Sequence, residues 1–232
     1  MSFRRELGVS RSGQAWHPQR DGPVIRCDNV RAVDEDIRAV VEGLGEALTD
    51  SGLTQAEFAA AMGTSASRFS AYRAGKTVPS AAFYLRALRL AASLKSAREG
   101  GWMTPQSAAR EIHRALRQGD TLWALKMTLQ GRDHLRELLR GHDGASRAWT
   151  APPRTTGDRR WDALLAALTE HEFEAAELEA PSWADAHHKR LDEDDAWVLP
   201  SLLLSEAEVR AVTPDWLAEH GIYAAERDLV TA

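Results

Sequence analysis

Apolar residues along this chain recur three and four positions apart rather than in alternation, the spacing of helices with one buried face. In DEDIRAVVEGLGEALTDSG, Ile37, Val40, Val41, Leu44 and Leu48 hold that spacing from Asp34 onward, acids crowd the first turn, and Gly52 is the stop. Leu53, Phe58, Ala59 and Met62 then mark a short helix that Thr54 begins and Gly63 breaks. A second short helix is predicted from near Ser65 to Ala74-Gly75, with Phe69 and Tyr72 on one face. Ser80 caps a longer segment carrying Phe83, Leu85, Leu88 and Leu94. Thr104-Pro105 opens the next, which runs to Gly119, because proline suits the first helical position. Asp120 caps a segment with Leu122, Leu125, Met127, Leu129, Leu135 and Leu138. Further on, Asp158 caps RRWDALLAALTEHEFEAAEL, Ser205 and Glu208 form a capping box, and Thr213-Pro214 opens a short helix that Gly221 ends. The tail IYAAERDLVTA has no clear period, and neither a β-rich region nor a fixed-period repeat is evident. The pattern predicts an all-α protein.

The punctuation suggests four parts. Residues 1–33 are broken by Gly, Pro, Arg and Asp; they read either as an arm packed through Trp16, Val24 and Ile25 or as partly disordered chain. Residues 34–140 carry the regular helices. Residues 141–158, GHDGASRAWTAPPRTTGD, read as a linker and as the best domain boundary. Residues 159–232 form a separate C-terminal region.

Charge divides the chain along similar lines. The net charge of −5 combines 7 Lys/Arg and 9 Asp/Glu in residues 1–52, 7 against 2 in 53–100, 11 against 6 in 101–160, and 4 against 17 in 161–232. A basic middle suits a polyanion, and a C-terminal block of net −13 suits a different partner. With 232 residues and 44% hydrophobic content a core is feasible, while no apolar run reaches the roughly 18 residues of a membrane span. The N-terminus lacks a signal peptide's apolar stretch, and a cytoplasmic protein is expected. Cys27 is the only cysteine and reads as a half-buried thiol, so intrachain disulfides are excluded.

The stretch LTQAEFAAAMGTSASRFSAYRAGKTVPS, residues 53–80, strongly resembles the Cro/CI-type (XRE) helix-turn-helix family. Leu53, Thr54-Gln55, Ala59, Gly63, Ser65, Ser70, Gly75, Lys76 and Pro79 sit at the family's register, and the likeness spans residues 35–95. One position departs: the family usually carries an acid where this chain has Arg73. With Phe69 and Tyr72 turned inward, Ala66, Ser67, Ser70 and Ala71 face outward, and the resemblance implies that this face enters the DNA major groove. Serine hydroxyls can bond base edges and alanine methyls can touch a thymine methyl, but no Gln or Asn fork is present. Modest direct readout is therefore expected, with more weight on phosphates and DNA shape. By resemblance Gln55 is a phosphate ligand; Ser65, Arg68, Arg73 and Lys76 are further phosphate candidates. Family members usually bind as two-fold dimers, so a homodimer is possible.

Downstream, Arg110, Arg114 and Arg117 form a basic stripe, read as a solvated face ahead of a second DNA contact. Trp161, Trp183, Trp197 and Trp216 lie in the acidic block; Trp183, Trp197 and Trp216 are candidates for partner binding, although packing in a small core is the simpler reading for each. The segments PSWADAHHKRL, VLPSLLLSEAEVRAVTPDWLAEHGI and AERDLVTA resemble the C-terminal portion of actinobacterial antitoxin-type regulators encoded beside nucleotidyltransferase-like toxins of the AbiEii type. That likeness implies a DNA-binding antitoxin: the helix-turn-helix reads a double-stranded operator, and the acidic region covers a basic cleft on a cognate toxin. Removal of 158–232 should then spare DNA binding. The alternatives are a stand-alone repressor whose C-terminal region dimerises or senses a ligand, and a scaffold whose helix-turn-helix contacts protein only. His187-His188 beside Asp192, Glu193, Asp194 and Asp195 makes a poor metal site, because adjacent helical side chains diverge by about 100°. No phosphate-binding glycine loop, nucleophile elbow or H-E-x-x-H pattern occurs, so an enzyme, a metal and a cofactor are not expected. The fold expected is an N-terminal Cro/CI-type helix-turn-helix bundle, then a helical pair and an acidic, mostly helical C-terminal region.

Overall fold

Local capping chemistry fixes most helix starts in the computed structural model, which describes residues 27–141, 144–185 and 190–231, with side chains from Asp34 onward. Helices α1 (Cys27–Ser51), α2 (Gln55–Ala61), α3 (Ala66–Arg73) and α4 (Ala81–Glu99) come first. Thr54, Ser65 and Ser80 each accept a hydrogen bond from a backbone N–H in the first turn that follows. Helix α1 begins seven residues before Asp34, the start expected from its acidic first turn. The chain divides into two compact units, 1–36 and 37–232. The arm proposed for residues 1–33, with Trp16, Val24 and Ile25, lies outside the described side chains, as do Cys27, His187 and His188.

In the larger unit, Leu44, Phe58, Ala59, Met62, Phe69, Phe83, Leu90 and Leu94 pack together as one core cluster. Two expected apolar positions do not join it: Leu85 is 48% exposed, and on a later helix Leu122 is 80% exposed. Both sit where helical spacing is satisfied but no second element covers the face.

Helix α5 (Pro105–Arg117) starts after Thr104 with Pro105 in its first turn, and α6 (Thr121–Arg140) is capped by Asp120. Helix α7 (Arg159–Ala175), capped by Asp158, buries Trp161, every residue from Ala163 to Thr169, Glu172 and Phe173. A helix buried on most sides is a central one. It packs on α5 and α6, and the same cluster takes in Leu191, Leu217, Ile222 and Leu229 from the C-terminal residues. Those residues form two-residue strands β1 (Trp197–Val198) and β2 (Ile222–Tyr223), paired in parallel, with α8 (Glu206–Val212) and α9 (Asp215–Ala218) between them. The small ladder and the 3-10 turn Glu226–Leu229 were not expected from the aperiodic tail.

The segment read as a linker is packed into the body. Residues Ala145–Thr150 form a 3-10 turn in which Trp149 is 0% exposed. Trp149 joins the cluster of α5–α7, while Ala148 and Ala151 join that of α1–α4. Polar tethers hold the strap on both sides. Ser93 Oγ donates to the Ala145 carbonyl at 2.7 Å and Trp149 Nε1 to the Met103 carbonyl at 3.0 Å. Gln106 Nε2 donates to the Ala151 carbonyl at 2.9 Å, and Trp183 Nε1 to the Trp149 carbonyl at 2.9 Å. Gly, Ala and Pro here let backbone approach helices closely instead of freeing it. Residues 37–232 thus share continuous packing with no boundary at 141–158, and removal of 158–232 would strip α7 from its partners.

Candidate nucleic-acid interface

The turn between α2 and α3 sets the geometry of the surface. Gly63 adopts φ +66°, a left-handed conformation that side chains other than glycine's rarely take. Thr64 N–H then bonds back to the Ala59 carbonyl at 2.9 Å and closes α2. Phe58 and Phe69 meet with ring centroids 5.2 Å apart, locking the two short helices together. Phe69 is fully buried, and Tyr72 leans on Phe83 at 5.2 Å.

With that face inward, Ala66, Ser67, Arg68 and Ser70 are exposed, while Ala71 is half-buried. Ser65 Oγ is engaged: it accepts from Arg68 N–H at 3.2 Å and lies 3.0 Å from Ser67 Oγ. Ser70 and the Ser67 hydroxyl are therefore better placed to meet an incoming group than Ser65, whose oxygen holds the helix start. Lys76 is exposed just past Gly75.

Arg73 donates from Nη1 to Gln55 Oε1 at 3.0 Å. The bond occupies the amide oxygen and leaves the Gln55 Nε2 as the donor. The two side chains join the end of α3 to the start of α2.

The same edge holds two arginines that local spacing did not single out. Arg154, from the strap, places Nε 2.6 Å from Glu57 Oε1. Burial disfavours the Glu57 carboxylate, but hydrogen bonds from Thr54 and the Arg154 guanidinium outweigh it and hold the group below the usual carboxylate range. Arg98, at the end of α4, lies across Gly52 and donates from Nη2 to the Asp50 carbonyl at 2.9 Å. Both arrive by tertiary folding from 97 and 48 residues away, so no motif could reveal them. On α5, Arg110, Arg114 and Arg117 are exposed as a stripe, with Arg114 paired to Glu111 at 2.9 Å.

The three tryptophans singled out for partner binding are half-buried and pack against the C-terminal core. Trp183 holds the strap carbonyl, Trp197 tilts against Trp161 at 5.1 Å, and Trp216 stacks on His171 at 4.0 Å. The most exposed large apolar residues of the C-terminal region are instead Leu202, Leu203 and Val230, at 99%, 77% and 67%. An open groove of about 520 Å³ runs between α6, α7 and the C-terminal residues. Its charges are largely paired: Arg136 grips Glu172 through bonds of 2.9 and 2.6 Å, and Arg132 bonds Asp133 at 2.6 Å and the Leu229 carbonyl at 2.5 Å. Among the described residues no helix is long and apolar enough to cross a membrane. Comparisons of the chain with protein-family models, with curated proteins and with solved structures find no match.

Proposed function

We propose that the protein is a sequence-specific DNA-binding regulator of the Cro/CI helix-turn-helix type, with α2 and α3 as its motif. One observation supports this most: Ala66, Ser67 and Ser70 stand exposed on one face of α3 directly over the buried Phe69, flanked by the exposed Arg68 and Lys76. A helix with so small an outer face can approach base edges closely, and the flanking cations supply phosphate contacts. The test is binding of the full-length chain to duplex DNA from upstream of its own gene, over a range of salt. Arg68→Ala with Lys76→Ala should weaken binding to all sequences and flatten the salt slope by about 2, given roughly 0.9 per phosphate contact. Ser67→Ala should alter sequence preference more than affinity. Unchanged binding by the double variant means that another face meets the DNA.

The antitoxin reading extends this one. The net −13 of residues 161–232, together with the bared Leu202 and Leu203, suits a basic partner protein with an apolar recess. Such a partner would be a cognate toxin encoded alongside. Because α7 belongs to the body's core, the test uses Leu202→Ser with Leu203→Ser in place of truncation. The variant should bind DNA normally and fail to rescue growth when the neighbouring gene is expressed; full rescue counts against this surface.

A further inference from the structure

We propose that Arg98, Arg110 and Arg154 form an accessory phosphate-binding edge beside α2, so that duplex DNA is gripped by the helical extension as well as by the α2–α3 motif. The inference rests on the DNA-binding reading above.

The three arginines come from different elements: Arg98 and Arg154 reach residues on either side of Thr54-Gln55, and Arg110 lines a cleft with Gly52 and Leu53. Arg98 lies over Gly52, where an added Cβ would meet its guanidinium. Arg154 bonds Glu57 at 2.6 Å, and its side chain is 70% exposed. Gly52 and Glu57 bracket Thr54-Gln55, the start of α2. Arg98 and Arg110 line, with Gly52 and Leu53, an open cleft of about 570 Å³ on the same edge. Gln55 in turn is bonded to Arg73, which carries the edge over to the exposed face of α3.

Electrostatics favours an anion here. Arg98 bonds a backbone carbonyl, not a carboxylate. Asp50 is paired with Lys95 at 3.0 Å and Glu57 with Arg154, so the excess positive charge here is that of Arg98 and Arg110. A phosphodiester chain crossing the start of α2 would have these guanidinium groups to either side of it, and arginine forks match phosphate oxygens. Continuity with the α3 face favours DNA as the occupant over an acidic protein surface, including that of a second copy of this chain.

The test measures anisotropy of a labelled random-sequence duplex of about 30 base pairs with the full-length protein, at several salt concentrations. Random sequence isolates phosphate contacts. The variant is Arg98→Gln, Arg110→Gln and Arg154→Gln together with Glu57→Gln, which keeps the side-chain stems and leaves no bare carboxylate. Its salt slope should be shallower by about 2 to 3, from roughly 0.9 per lost contact. The corresponding lysine variants should keep the slope. Should the multiple variant fold poorly, Arg110→Gln alone is expected to flatten the slope by about 1. A folded variant with the wild-type slope overturns the proposal, as does one that changes self-association alone, which would assign the edge to protein. If Arg68→Ala with Lys76→Ala weakens binding while the arginine-edge variant does not, only the accessory edge falls. If wild type binds no duplex at the lowest salt, the DNA-binding reading falls with it.

Discussion

Replacing Trp149 by Ala tests whether the strap is structural, and the size of the effect separates the possibilities. In a flexible linker the change would alter stability by less than about 0.5 kcal/mol. Trp149 is 0% exposed and sits among the residues of the α5–α7 core. Truncating a buried Trp costs about 3–5 kcal/mol through lost transfer energy and the cavity left behind. The change also removes the donor to the Met103 carbonyl, 3.0 Å away, worth about 1 kcal/mol more. A total near 5 kcal/mol is a large part of the 5–15 kcal/mol that holds a typical domain. For a unit of this size it lowers the melting temperature by about 10–20 °C, at roughly 2–4 °C per kcal/mol. Thermal and urea unfolding followed by circular dichroism measure it, with Trp149→Phe as the intermediate case that keeps a ring and loses the hydrogen bond. A loss under about 1.5 kcal/mol for Trp149→Ala would refute the packing argument.

Other perturbations probe separate parts of the molecule. Arg136→Ala strands the carboxylate of Glu172, which is 5% exposed, and should cost about 2–4 kcal/mol; Arg136→Leu with Glu172→Leu should restore most of it, and urea titration of both decides. His134 Nδ1 accepts the Met103 N–H at 2.9 Å, which requires a neutral ring. Burial holds this imidazole below its usual value against the pull of Asp133. Its contribution is therefore complete above pH about 6.5 and lost as pH falls from there through the lowered folded value. The difference in melting temperature between wild type and His134→Asn should change across that window, and a constant difference would contradict the assignment. Deletion of 158–232 should abolish DNA binding by unfolding α5 and α6, and retention of both helicity and binding would show that the motif folds without α7.

Much of the helical layout was legible because its determinants are local. Thr54, Ser65, Ser80, Asp120, Asp158 and the Thr104-Pro105 pair announce helix starts through atoms within three or four residues. The exposed face of α3 followed from the spacing of Phe69 and Tyr72 alone. The strap was not legible, because Gly, Pro, Ser and Thr describe a loop equally well whether it hangs free or lies in a groove. Trp149 was the signal available: a large apolar side chain in a polar segment is seldom left in water. Arg98 and Arg154 were beyond reach, since their place beside α2 depends on contacts across the whole larger unit. Trp183, Trp197 and Trp216 show the converse difficulty, as a half-buried indole and an interface indole look the same in sequence.

The strap changes how a partner and an operator would communicate. One side of the 144–158 segment is fixed to the acidic region, where Trp183 donates to the Trp149 carbonyl, and to α5, where His113 Nδ1 meets the Thr156 carbonyl at 2.8 Å. The other side supplies Ala148 and Ala151 to the core of α1–α4 and Arg154 to Glu57 on α2. A protein that seized Leu202 and Leu203 would act on the same compact unit, residues 37–232, that holds α7, β1, the strap and the proposed DNA-binding face. The Arg154 side of the Arg154–Glu57 contact is exposed, whereas Trp149 is buried and hydrogen-bonded on both sides. Loss of that contact would bare Glu57 beside Gln55 and oppose phosphate binding. On the proposed reading, a partner that broke this one ion pair would weaken DNA binding without repacking either core.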